Sequence, residues 1–153
     1  MRTQTCKMVL ALAALGLAAL GPLYGQSEPP LRVTVPFDFY IGTESLSAGD
    51  YLVSPASRDR VVLKFHHTQS NRKVMVNTIS AHAGTKPVQP KLVFHRYGDQ
   101  YFLTQVWITP GPAGNELAPS KAERALRKTD SSPQWVSVPP KGPKSPYENA
   151  PSK

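Results

Sequence analysis

The stretch KLVFHRYGDQYFLTQVW, Lys91 to Trp107, holds two apolar-aromatic runs on either side of a Gly-Asp pair. Glycine takes positive φ at little cost, so a two-residue loop that begins with Gly98 suits a tight hairpin between Leu92–Tyr97 and Gln100–Ile108. In that register Arg96 lies opposite Tyr101, His95 opposite Phe102, and Phe94 opposite Leu103. Strand alternation then puts Phe94, Leu103 and Trp107 on one face, and Val93, His95, Phe102 and Val106 on the other. Both faces are largely apolar. The hairpin is therefore expected in the middle of a sheet, covered on both sides.

The flanking sequence reads the same way. In RVTVPFDFYIG the residues Val33, Val35, Phe37, Phe39 and Ile41 recur at every second position, which predicts a strand with one buried face. Pro36 has no N–H to give a ladder, so this strand should be at an edge or bulged. Further strands are expected at Asp50–Ser54, Val61–His66 and Lys73–Ser80, with turns at 57–60 and 69–71. One helix is expected in LAPSKAERALRKT, where Ser120 and Glu123 have the spacing of a reciprocal cap and Ala122, Ala125 and Leu126 can share a side. The fold class that follows is all-β: a small antiparallel β-sandwich or partly open barrel with one short C-terminal α-helix.

Met1 to Lys7 is basic and Met8 to Leu20 is uninterruptedly apolar, followed by the more polar GPLYGQSEPP. That order is the pattern of a secretory signal peptide, with cleavage expected after Gly25. The apolar run falls short of the roughly 20 residues that a helix needs to cross a bilayer. The expected organisation is a signal peptide over 1–25, a lead-in over 26–30, a β-domain over 31–129, and a disordered Pro/Ser/Lys-rich tail over 130–153. In that tail only Trp135 and Val136 offer anything to dock on a sheet.

Cys6 is the single cysteine and precedes the apolar run, so the mature chain is expected to have neither disulfide nor thiol chemistry. Of 18 basic residues, Arg2 and Lys7 leave with the signal; against 10 acidic ones the mature charge is +6. That balance favours anionic partners. For an exported chain these are an acidic glycan, an envelope component or a small ligand, and not nucleic acid. The mature chain is expected to have no transmembrane helix.

Chemistry is sparse. His66 and His67 are adjacent and point to opposite faces of a strand, and no carboxylate has a metal-ligand spacing from His66, His82 or His95. There is no Gly-x-Ser-x-Gly elbow and no glycine-rich phosphate loop, and no pair of acids stands out for acid–base work. No catalytic, cofactor-binding or metal-binding residue is assigned, and no cofactor is expected. A possible binding surface is formed by Tyr97, Tyr101, Arg96 and His95, whose rings and guanidinium could stack on a sugar.

The segments VPFDF (Val35 to Phe39), LSAGDY (Leu46 to Tyr51), FHRYG (Phe94 to Gly98) and SKAER (Ser120 to Arg124) together resemble a family of small exported proteins common in acidobacteria. Ser47 stands where those proteins often carry Pro. The resemblance implies an exported β-domain and brings no activity, substrate or catalytic residue. The leading expectation is an exported, non-catalytic binding or envelope-associated protein, periplasmic or extracellular. The alternatives are a periplasmic hydrolase with a site near His95 and Arg96, and a structural envelope scaffold. A buried His95 bonded to an acid beside a cleft would favour the hydrolase.

Overall fold

The Lys91–Trp107 hairpin forms as its sequence predicts, and the rest of the domain is built around it. The computed structural model describes residues 29–84, 88–129 and 132–142. Among these are eleven strands: β1 (Leu31–Val35), β2 (Phe39–Ile41), β3 (Glu44–Leu46), β4 (Gly49–Pro55), β5 (Val62–His67), β6 (Lys73–Asn77), β7 (Ile79–His82), β8 (Lys91–Tyr97), β9 (Gln100–Trp107), β10 (Ala113–Glu116) and β11 (Gln134–Val138). One helix, α1 (Lys121–Thr129), lies between β10 and β11, so a strand follows it. The expected signal peptide and most of the lead-in fall outside the described residues.

Two sheets face each other without closing into a barrel, so the fold is a β-sandwich. The first is antiparallel, in the order β1-β4-β5-β6; the second runs β11-β8-β9-β10-β7, with the β2–β3 hairpin joined to β9 through Tyr40 and Phe102. Between them lie Val33, Val35, Tyr51, Val53, Leu63 and Phe65 from one sheet, and Phe39, Leu92, Phe94, Leu103 and Val106 from the other. Each fully buried aromatic or branched side chain contributes about 1.5–3 kcal/mol relative to exposure.

The run from Val33 to Ile41 is two strands in different sheets, not one. Pro36 cannot donate to a ladder, and the chain crosses between the sheets at Pro36–Asp38. The alternation survives the crossing because both sheets look into the same core: Val33, Val35, Phe39 and Ile41 are all buried in it. Lys73–Ser80 divides in the same way, into β6 and β7 on either side of Thr78.

Arg96 pairs with Tyr101, His95 with Phe102 and Phe94 with Leu103, as expected, and Gly98 takes φ 58 at the turn. Above that, the assignment of faces is corrected. The register shifts between Val93 and Phe94, leaving Thr104 as an extra residue whose hydroxyl donates to the Val93 carbonyl at 3.0 Å. A bulge reverses the alternation beyond it. Val106 therefore joins Phe94 and Leu103 in the main core, and Trp107 packs with Val93 and Ala81 in a second cluster.

The disordered-tail expectation fails for part of its range. Gln134–Val138 pairs antiparallel with β8 over five residues, Trp135 opposite His95 and Val138 opposite Leu92. Val138 is buried, and beyond it the Lys141 N–H donates to the Arg32 carbonyl on β1 at 2.7 Å. The unpaired edge of β8 supplies the ladder that this polar segment could not form alone. The rest of the expected tail, 130–131 and 143–153, lies outside the described residues.

Candidate functional site

The four residues expected to form one surface divide between the two faces of β8–β9. Arg96 and Tyr101 share one face: the guanidinium carbon sits 5.5 Å from the Tyr101 ring centroid, and Tyr101 stacks on Phe37 at 3.7 Å. Arg96 Nε donates to the Gly98 carbonyl at 2.7 Å, so its head is tied to its own turn. His95 and Tyr97 occupy the other face, and Tyr97 is 3 % exposed, a core residue rather than a stacking platform. Period-2 alternation accounts for the division.

His95 has the partner that the hydrolase alternative asked for. Its Nδ1 donates to Glu123 Oε1 at 2.7 Å, and Glu123 is buried. The Glu123 N–H donates to Ser120 Oγ at 3.1 Å, so half of the expected reciprocal cap is present, while the carboxylate reaches across to the sheet instead of back to Ser120. Trp135 from β11 stands edge-on to the imidazole, with centroids 4.4 Å apart. In a catalytic triad the acid-bonded histidine turns its other nitrogen to a nucleophile. Here Nε2 is enclosed and meets no hydrogen-bond partner. The described bond fastens α1 to the sheet. Glu123 and Leu126 are the residues of that helix that lie inward, whereas Ala122 and Ala125 are exposed.

His67 is also committed to structure. The Ser70 N–H donates to its Nδ1 at 3.2 Å, and Nε2 rests against Gly49. A Cβ on Gly49 would lie 2.2 Å from that nitrogen. His66 bonds Asn71 at 2.8 Å. Among the described residues no three His, Cys, Asp or Glu side chains gather as metal ligands.

A cavity of about 150 Å³ lies elsewhere, lined by Ile108 and Ala113 together with the polar residues Asp59, Arg60, Ser80, His82 and Asn115. It is built from the β4–β5 loop, the edge strand β7, and β10. The loop closes on an Arg60 N–H to Ser57 carbonyl bond of 3.2 Å, which leaves Arg60 at φ 63. That left-handed conformation is costly for a residue with a Cβ and usually falls to Gly or Asn. Asn115 Nδ2 pins the loop, donating to the Arg60 carbonyl and to Thr78 Oγ1, each at 2.8 Å. Ser57 and the Val61 N–H hold the Asp59 carboxyl below the usual carboxylate range. Gly114 also lines it, and a Cβ there would come within 2.5 Å of the Trp107 ring.

Ser80, His82 and Asp59 all line this cavity, yet among the described residues no hydrogen bond joins them. Arg60, Ser80, His82 and Asn115 line one cavity without the relay that activates a nucleophile. The sequence reading identified the 57–60 turn and His82 but not this grouping. No signal in the sequence marked it, since the positive φ of Arg60 shows only in the folded loop.

The chain matches no protein-family model, no curated protein and no solved structure.

Proposed function

We propose that this is an exported, non-catalytic binding protein of the cell envelope, and that the cavity beside Arg60 takes an acidic sugar unit of a glycan. Arg60 carries the reading: it is held at φ 63 on the wall of a cavity of mixed polar and apolar lining, where glycine would relieve the backbone. Strain of this kind concentrates at ligand clamps. Arg60, Ser80 and His82 line the cavity with groups that can donate to a carboxylate, and the Asp59 carboxyl beside them can accept from the neighbouring sugar hydroxyls. The mature charge of +6 draws anionic polymers to the surface. Export is supported by the basic and apolar pattern of Met1–Gly25.

The second reading, a hydrolase near His95 and Arg96, draws on the His95–Glu123 bond. Against it stand the enclosed Nε2 and the placement of Arg96 on the opposite face of the strand. A structural scaffold draws only on the small number of reactive groups.

Calorimetric titration with a uronic-acid oligosaccharide tests the binding proposal. Arg60→Gly should weaken binding by at least about tenfold, the loss of one charged contact. The same variant should keep or raise the urea midpoint, because glycine relieves about 1 kcal/mol at positive φ. Unchanged affinity in the variant, or no binding by the parent chain, refutes the proposal. A mature N-terminus other than Gln26 in exported protein would correct the cleavage site, and an intact Met1 would remove the export reading.

A further inference from the structure

We infer that two copies of this chain pair through the free edge of β6, antiparallel and centred on Met75, joining their four-stranded sheets into one of eight. Within the described residues β6 is bonded to β5 alone and ends its sheet. Arg72 and Thr78 bond β5 at either end of the strand: His67 N–H donates to the Arg72 carbonyl, and Thr78 N–H to the Val61 carbonyl. Antiparallel ladders alternate, so Val74 and Val76 also bond β5. The N–H and C=O groups of Lys73, Met75 and Asn77 then point away from the sheet. An edge that offers such groups is a template for another strand.

Met75 is 67 % exposed and Ile79, just beyond the strand, 62 %; only one other large apolar side chain among the described residues, Trp135, is as open. The strand KVMVN is its own complement in one register. With Met75 opposite Met75, Lys73 meets Asn77 of the other copy at both ends, and Val74 meets Val76. Every outward N–H and C=O of the three residues finds a partner, and no like charges face each other. Centring the pair on Lys73 instead would set two ammonium groups in direct opposition, which is destabilising.

The described chain enters and leaves this sheet at the opposite edge. It enters the sheet at β1, and Lys141 is bonded to Arg32 on β1, with β4 and β5 between there and β6. The stretch beyond, PKSPYENAPSK, contains Pro143, Pro146 and Pro151, which cannot donate to a ladder. A second copy presents an identical edge with matching side chains.

Sedimentation velocity on the purified exported chain, over roughly 1–100 µM where a small interface assembles, reads the outcome. A dimer is expected, and it should persist when 143–153 is deleted. Met75→Asp would set two carboxylates against each other at the centre. It should raise the dissociation constant at least about 100-fold while leaving the urea midpoint near that of the parent at concentrations where the parent is monomeric, since the site is exposed. Met75→Cys should cross-link to its counterpart with a short bismaleimide, because directly opposed residues of a hydrogen-bonded antiparallel pair have Cα atoms about 5.5 Å apart. A monomer at every concentration overturns the inference. So does a dimer indifferent to Met75→Asp, or one that is lost with 143–153.

Discussion

Replacing Glu123 separates a structural role for the His95 pair from a catalytic one by the sign of the stability change. In the structural reading, Glu123→Ala leaves the His95 Nδ1–H enclosed without the acceptor now 2.7 Å away. Losing a hydrogen bond to a charged group costs about 1.5–3 kcal/mol. The loss has a ceiling. Helix α1 has nine residues and turns only Glu123 and Leu126 inward, so undocking it releases little else. A helix of that length does not persist alone in water. Once the bond is gone the helix should fray as a unit, and the measured loss should stop at about 2–3 kcal/mol instead of spreading through the core. Glu123→Gln keeps an acceptor at the same reach and should lose only about 1 kcal/mol. Urea melts rank the variants, and amide exchange over 121–129 should rise in Ala more than in Gln. A catalytic carboxylate held for chemistry behaves in the opposite way, since its removal commonly stabilises the fold. A Glu123→Gln variant as stable as the parent or more so, with unchanged exchange over α1, would refute the docking role and strengthen the hydrolase reading.

Gly49→Ala should cost about 2–5 kcal/mol in urea melts, from a Cβ 2.2 Å from His67 Nε2 and a backbone at φ 151. In a His67→Ala background the same change should cost about 1–3 kcal/mol less; equal costs in both would mean that the imidazole is not the obstacle. Truncation after Thr129 removes β11 and uncovers the edge of β8, so it should lower the melting temperature by more than about 4 °C, and an unchanged melt would show that the strand adds nothing. Burial pushes the Tyr51 phenol up to about 12, so the native state favours the neutral form. Stability from this group is complete below the ordinary value near 10 and declines as pH rises through about 12; Tyr51→Phe should abolish that decline in urea midpoints, and a decline that persists would assign it to another group.

Local signals in the sequence determined what depends on near neighbours. The Gly98-Asp99 turn fixed the hairpin register, because a two-residue loop beginning with positive φ admits few pairings. Alternation in Val33–Ile41 marked Val33, Val35, Phe39 and Ile41 as buried, with Phe37 only partly so at the crossing, because both sheets of a sandwich face one core. The tertiary structure decided everything that depends on which strand lies beside which. Alternation reports burial and not sheet membership, so the crossings at Pro36–Asp38 and Thr78 were not visible in it. One extra residue at Thr104 exchanged the faces of Val106 and Trp107, and no composition marks a bulge. β11 forms because β8 offers it an edge, which QWVSV does not disclose by itself. The candidate site was least legible of all. Arg60, Ser80, His82 and Asn115 come from three segments and meet only because β7 and β10 pair beneath the β4–β5 loop, a juxtaposition made by long-range pairing rather than by any motif.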